Sequence, residues 1–461
     1  MKIKVSKPLF TTSQTSLAYL VHLAIFILLL SAPMQMRAQG ENHGLGNETS
    51  DGKSIYEIVT GLQDKQIEND RINLEFDKKN KALNLYINFA EVFQAQHDSR
   101  NGGWTSRFYN KNLRIEMTGW LTDKLYYRFR HRLNKSDSPM GEDNFAKATD
   151  YMMVGWKFND TWSIQGGKKC QAVGSFEFDE NPMFIYQYSD IEDNLDSSKG
   201  ALNLLFHPGK GQQFSAEVSN TYNGKLADEF GENAKVTTTG YKMENGVLTT
   251  DIKPLEKANS PLAYALGWNG NFFKGKLQTR WSYMLRTQAK GMYSRFFRFG
   301  QKLNLPKLQW YIDFNYSYDD LDRMKIASNE VVEKMFSKAT QSGVDNTESG
   351  EVDCSNVYLR KVCYKGIVTK LKWQFATDWN LMLKGMWETA STTKNEEFKH
   401  YRKAYGYIGS LEYYPARKQK QDLRLFLAYI GRKYDYSKKS GLTNYNTDRI
   451  ELGIMYRLKV Y

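Results

Sequence analysis

Histidine, cysteine and acidic residues are all in short supply in this chain, and each shortage closes off a class of protein. Six His in 461 residues (His22, His43, His97, His131, His207 and His400) form no metal-ligand cluster and sit in no Ser/His or Asp/His motif, so neither a metal centre nor a hydrolytic enzyme is indicated. Three Cys cannot build a disulfide framework. Cys354 and Cys363 could pair in an oxidising compartment and close a small loop, which would leave Cys170 over. Beyond the N-terminus there is no run of about 20 apolar residues, which excludes helical membrane spans after that point. Acids are outnumbered, 51 Asp and Glu against 64 Lys and Arg, for a formal net charge of +13. Mean hydropathy is low at −0.62, yet a membrane barrel remains open, because alternation hides the apolar half of every strand.

The N-terminus is an export signal. Lys2, Lys4 and Lys7 precede the apolar run Leu17 to Leu30, and the small-residue site Met36-Arg37-Ala38 follows it. That run is short for a membrane span and is followed by a processing site, so the expectation is a signal peptide over 1–39, removed on export. Those residues carry four basic and no acidic side chains, which leaves the mature chain at +9. Residues 40–80 read as a polar periplasmic segment. Within it 54–72 has helical character, with Ile55, Val59 and Leu62 on one face and Ser54 and Glu57 at capping-box spacing. It could plug a pore or contact a neighbouring subunit; the default reading is that it frays in the periplasm.

From residue 81 onward the pattern is β. In 112–121, Leu113, Ile115 and Met117 alternate with Asn112, Arg114, Glu116 and Thr118. After Thr122-Asp123-Lys124 the alternation resumes, Leu125, Tyr127 and Phe129 against Tyr126, Arg128, Arg130 and Arg132. Successive side chains of a strand point to opposite faces, so each strand has one greasy and one charged face. A soluble sandwich turns the greasy face inward; a membrane barrel turns it to lipid and keeps charge in a wet lumen. The same alternation recurs at 82–94, 108–121, 125–133, 149–158, 162–169, 200–207, 212–220, 262–273, 276–287, 292–303, 308–318, 364–376, 381–390, 403–414, 422–433 and 447–461. That makes about sixteen strands, an even number, as in single-chain outer-membrane barrels.

The connections decide between the two. Odd-numbered ones are mostly long (Cys170 to Lys199, Thr221 to Pro261, Asp319 to Cys363), and even-numbered ones are short turns such as Asn159-Asp160-Thr161. The stretch Ala289 to Gly291 is the exception, short where parity calls for length. A sandwich has no reason to sort loops by parity, whereas a barrel with short periplasmic turns and long extracellular loops does. Aromatics such as Trp162, Trp268, Trp373, Trp379 and Tyr413 fall near strand ends, where interfacial girdles belong. The expectation is an all-β, transmembrane antiparallel barrel over 81–461 in the outer membrane of a Gram-negative bacterium. The final stretch, Ile450 to Tyr461, resembles the C-terminal strand that the barrel-assembly machinery reads. Tyr461 breaks its parity, for which a bulge or a frayed end would account.

The chain over 80–461 resembles the phosphate-selective porin O and P family, in the form common in Bacteroidetes. The resemblance rests on strand count, a basic lumen, and Gly166-Gly167-Lys168-Lys169 leading through Phe176-Glu177-Phe178 to Asn181-Pro182. It implies a sixteen-stranded barrel, usually a homotrimer, with an anion-preferring pore narrowed by an infolded loop. The family's phosphate-binding residues are not placed residue by residue here, because the flanking motifs do not match closely enough, so the expected cargo is small anions or polar solutes in general, phosphate among them.

The inward parity carries the candidate pore-lining cations Arg114, Arg128, Arg130, Arg132, Lys169, Arg280, Arg286, Lys370, Lys372, Arg424, Arg432 and Arg449, with Lys384 and Arg457 alongside. Acids on that parity are fewer, among them Glu116, Asp313, Glu388 and Glu451. Rings of Arg and Lys concentrate anions and repel cations. Arg128, Arg130 and Arg132 could form a ladder that hands anions along, or could simply neutralise facing acids. Cys170 to Ser198, acidic near its end, is the candidate constricting loop. A TonB-dependent receptor would need about 22 strands and a plug of its own. Nucleic-acid binding is out of place in an exported barrel, and no cofactor is called for. The standing alternative is a closed or plugged barrel with a structural, receptor or adhesive role.

Overall fold

The computed structural model describes residues 82–135, 139–140, 145–209, 211–245, 247–341 and 353–461; the expected export signal and polar leader lie outside the described residues. Sixteen strands close into one antiparallel barrel, each bonded to the next in sequence. They are β1 (Asn84–Asp98), β2 (Trp104–Trp120), β3 (Leu125–Arg132), β4 (Thr149–Lys157), β5 (Trp162–Cys170), β6 (Ser198–Gly209), β7 (Gln212–Asn220), β8 (Leu262–Phe272), β9 (Leu277–Ala289), β10 (Met292–Leu305), β11 (Leu308–Asp319), β12 (Val362–Ala376), β13 (Trp379–Thr392), β14 (Arg402–Tyr413), β15 (Asp422–Tyr436) and β16 (Tyr445–Lys459). β1 pairs with β16 from Tyr86 opposite Lys459 to Asp98 opposite Thr447, which leaves no open edge.

The two faces are inverted relative to a water-soluble protein. Along β11, Trp310, Phe314 and Tyr316 are exposed, while Asp313, Asn315 and Ser317 are buried. Among the largest fully buried side chains are Arg128, Arg130, Arg298, Arg424 and Arg457. Greasy residues therefore face lipid and charged residues face the lumen. Near the short-turn rim, outward rings touch from strand to strand. The series runs Trp162–Phe206–Phe214–Trp268–Trp281–Phe299–Phe314 from β5 to β11, with centroids 4.5 to 6.3 Å apart. It forms an interfacial girdle.

The expected strands are all present, with longer ends at the long-loop rim. β1 and β2 leave only 99–103 between them, because ring pairs Phe93–Phe108 and His97–Trp104 carry the ladder outward. The short connection between β9 and β10 is a tight turn at Lys290-Gly291, with Gly291 at φ 67°. At the C-terminus the carbonyl of Leu85 accepts from both Val460 N (2.8 Å) and Tyr461 N (3.4 Å). Two residues opposite one make a bulge, which resolves the broken parity of Tyr461.

The long connections are structured. One carries α3 (Leu226–Phe230); the other carries α4 (Ile326–Gln341), and their short strands Lys235–Thr237 and Val357–Leu359 pair in parallel. Two four-residue turns, α1 (Phe176–Asp179) and α2 (Asp190–Asp193), belong to the connection between β5 and β6. α4 buries Ala327, Val331, Val332, Met335 and Phe336 in a cluster that includes Leu359, Phe398 and Tyr401. Its start is held by Asp322, which accepts from Ser328 N and Oγ (2.7 Å each) and from the Tyr364 hydroxyl (2.6 Å). Its outer turns are held by Glu330, which accepts from Tyr401 (2.7 Å), Arg402 Nε (3.0 Å) and Tyr436 (2.8 Å).

Cys354 and Cys363, whose pairing the sequence leaves open, are both free thiols in this structure. Cys363 lies on the lipid-side parity of β12 in hydrogen-bond contact with Tyr316, between inward Val362 and Tyr364. Cys354 packs instead against the α4 cluster.

Two outcomes test this arrangement. Leu266 sits at the middle of β8 and is 62% exposed. Leu266→Arg should lower unfolding stability in lipid vesicles by about 2–4 kcal/mol, whereas Leu266→Tyr should be near neutral. At Asp322, burial outweighs its hydrogen bonds and pushes its carboxyl up to about 6. The folded state thus holds this proton more tightly than the unfolded chain, so the contribution is complete below pH 4 and fades as pH rises through 6. Amide exchange in α4, corrected for intrinsic rates, should accelerate across that window, and Asp322→Asn should remove the pH dependence.

Candidate functional site: a loop folded into the lumen

The connection at 171–197 turns into the barrel instead of out to solvent, and its local chemistry shapes it for that. Ser175 caps α1 by accepting from Phe178 N (3.4 Å). Asn181 accepts from Met183 N (3.1 Å), and Pro182 opens the next turn, a 3₁₀ helix over Pro182–Phe184. The wall completes the caps. Asp313 of β11 accepts from Phe176 N (3.1 Å) and Glu177 N (2.8 Å). Glu388 of β13 accepts from Asp190 N (3.0 Å) and Ile191 N (2.8 Å). Each carboxylate thus meets the two backbone donors at the start of a helical turn. Glycines clear the landing sites: a Cβ at Gly300 would stand 2.3 Å from Asp313 Oδ1 and 3.0 Å from the Phe176 ring, and one at Gly366 would stand 3.0 Å from Ile191.

Charge then ties the loop to strands on every side of the wall. Arg298 of β10 binds Glu192 (2.8 Å) and the carbonyl of Val173 (3.2 Å). Lys370 binds Glu180, Lys384 binds Glu177, and Arg402 and Arg432 both bind Asp190. Glu177 also accepts from Ser189 N (2.8 Å) and Oγ (2.7 Å), pinning the loop to itself. The Tyr186 carbonyl accepts from Lys111 Nζ (2.9 Å) and Arg449 (3.1 Å), and that of Met183 accepts from Arg424. All these loop acids therefore meet wall cations directly.

The expected inward cations occupy the inner face, Arg449 less buried than the rest. Arg128 pairs with Glu116 (2.7 Å), while Arg130 (3.3 Å), Arg132 (3.1 Å) and Arg114 (3.8 Å) converge on Asp150. Tyr151 lies beneath Arg128 and Arg130, at 3.9 and 4.7 Å from its ring centre. The three arginines proposed as a ladder are thus held by acids and an aromatic face. Lys169 pairs with Glu217; Lys372 (3.0 Å) and Arg424 (3.0 Å) share Glu412; Lys111 (2.6 Å) and Arg449 (2.9 Å) share Glu451. Arg280 stands 3.6 Å from Asp179, and Arg286 reaches the Gln171 amide oxygen (2.5 Å).

Several participants escape a period-two reading. A register shift at Arg130/His131 leaves Asp150 as the extra residue of β4, so both Asp150 and Tyr151 are buried inward. A second shift at Ala90/Glu91 leaves Lys111 as the extra residue of β2 and lets it reach Glu451. Bulges re-aim side chains in this way. Arg298 shares its face with Phe296, which disguises that face as apolar, and Arg402 lies one residue before the expected start of its strand.

Toward the short-turn rim two cavities adjoin the loop, and Phe176 and Lys302 border both. The smaller reaches Tyr311, Lys370 and Lys372. The larger runs along β5 to β10. Among the described residues no group of three or more His, Cys, Asp and Glu could hold a metal ion.

A family model described as phosphate-selective porin O and P matches residues 83–458. Among solved structures, the outer membrane channel DcaP of Acinetobacter baumannii is similar at 9% identity, over 84% of this chain and 100% of its own, with a TM-score of 0.52. The anion-selective porin from Comamonas acidovorans is similar at 9% identity, over 82% of this chain and 100% of its own, with a TM-score of 0.50. At such identities the likeness is one of fold. No curated protein matches the sequence.

Removing either wall cap should loosen the loop locally. Asp313→Ala strands two buried N–H groups that had an acceptor, a loss of about 1–3 kcal/mol. Amide exchange at Phe176 and Glu177 should rise by at least about tenfold, and Glu388→Ala should do the same at Asp190 and Ile191. Unchanged protection would mean the loop is held by something other than these caps.

Proposed function

This chain belongs to the phosphate-selective porin O and P family, and on that premise we propose that its passive-diffusion pore prefers anions. It is an outer-membrane porin: a closed barrel with a charged interior, through which small solutes pass without a catalytic step. The observation that carries the anion preference is the sharing of carboxylates. Asp150 serves three arginines, and Glu412 and Glu451 each serve two cations. Arg286 and Arg323 make no ion pair among the described residues; the first meets an amide and the second lies 4.8 Å from the Phe296 ring. Positive charge is thus in excess along the wall, and low-dielectric walls focus the field of that excess on the solution between them.

In this reading the lumen is narrowed by 171–197, and the candidate cations act as a positive lining around it, largely through their summed field. Solute choice is then general for small anions and polar molecules, with phosphate as one of them. Export by a cleaved N-terminal signal, insertion by the barrel-assembly machinery and assembly as a homotrimer complete the proposal; the sequence pattern at each terminus and the family resemblance support them.

Single-channel recording of the refolded protein under a KCl gradient tests it. Discrete open steps with an anion-selective reversal potential are expected. The double substitution Arg286→Gln, Arg323→Gln should move that potential toward zero without closing the pore. Cation selectivity would contradict the preference, and a folded barrel without steps would favour a plugged structural or receptor role.

A further inference from the structure

On the outer face of β10 to β15 the apolar band stops at a row of cations. Arg295 of β10, Lys365 of β12, Lys403 of β14 and Lys433 of β15 are all exposed on the lipid-side parity. Each lies ten or eleven residues from the short-turn end of its strand, at Leu305, Ala376, Tyr413 and Asp422 respectively. Between each cation and that end the outward positions carry no charge; β15, for example, presents Gly431, Tyr429, Leu427, Leu425 and Leu423. The intervening strands place hydroxyls at the same level. Tyr318 of β11 stands opposite Arg295, and Thr389 of β13 stands between Lys365 and Lys403. β16 ends the row with an acid, Asp448, which accepts from the Tyr429 hydroxyl (2.5 Å). Across the barrel the same height is held by Ala95 of β1, Asn110 of β2 and Leu262 of β8.

Ten residues of a strand tilted by about 40° climb about 25 Å, the height of the apolar band of an outer-membrane barrel. The cations therefore stand where acyl chains give way to headgroups, at the long-loop rim, which faces the cell exterior in such barrels. The protein itself leaves most of this charge unmatched. Arg295, Lys365 and Lys403 make no ion pair among the described residues, while Lys433 meets Asp435 at 3.0 Å. A long cationic side chain at a membrane interface reaches for anionic headgroups. These four project to the lipid side of the wall, away from the lumen and its solutes. The ladder spaces neighbouring members about 8–12 Å apart, too far for one phosphate to bridge and suited to separate phosphates on the same or adjoining headgroups. We infer that this arc docks the phosphate groups of outer-leaflet glycolipid, so that β10 to β15 carry a bound layer of phosphorylated lipid. The solute preference of the pore is set in the lumen and is independent of this arc.

Native mass spectrometry of the refolded mature protein in a non-ionic detergent, titrated with bisphosphoryl lipid A and with its monophosphoryl form, is the test. The bisphosphoryl form should bind about fivefold more tightly. Arg295→Gln with Lys365→Gln and Lys403→Gln should erase that difference and weaken bisphosphoryl binding by at least about tenfold. Lys276→Gln with Lys307→Gln and Lys420→Gln, which removes the same charge from exposed positions at the short-turn rim, should change neither. Heat-modifiable gel mobility reports whether each variant folds. Equal binding of the two lipids to the unaltered protein overturns the inference even if a variant fails to fold. A preference that persists in the folded arc variant, or is lost equally in both folded variants, overturns it as well. Phosphatidylglycerol bound as tightly as bisphosphoryl lipid A would overturn the assignment to glycolipid.

Discussion

Charge turned into a narrow barrel has to be paired, and most of this structure follows from that requirement. A membrane barrel can show only apolar side chains to lipid, so period-two strands send their Arg, Lys and Glu inward. Once inside, a guanidinium such as that of Arg298, with 0% exposure, is stable only beside a carboxylate or a set of acceptors. The wall supplies some acids itself, Glu116, Asp150, Glu412 and Glu451 among them. The remainder arrive on the connection between β5 and β6, whose Glu177, Glu180, Asp190 and Glu192 reach wall cations.

Pairing is only half of what holds the loop. Its two helical turns start on Asp313 and Glu388, so the wall provides acids to backbone donors as well as cations to loop acids. Breaking any one contact leaves a buried group unmatched, which makes the loop and the wall a single cooperative unit. Glycine at 300 and 366 is the steric counterpart, because the loop lies where a side chain would otherwise stand. At the long-loop rim the same logic recurs on a smaller scale, with Glu330 holding α4 to three neighbours.

The fold was legible because alternation repeats in strand after strand and loop length follows parity, two signals that no single residue can spoil. The inward cations followed from the same rule. The misses have physical causes: a bulge adds one residue and reverses parity locally, which concealed Asp150 and Lys111. Partners were the other blind spot. Sequence order says nothing of which acid meets which base across a lumen, and Lys384 finds Glu177 more than two hundred positions away.

The most direct measurement is the single-channel conductance of a variant in which residues 174–195 are replaced by a short Gly-Ser linker. If the loop is what narrows the lumen, the barrel should still fold, as judged by heat-modifiable gel mobility, and each open step should grow several-fold. A folded barrel whose steps stay the same size or shrink would show that the constriction lies elsewhere, and the account of this loop would have to be abandoned.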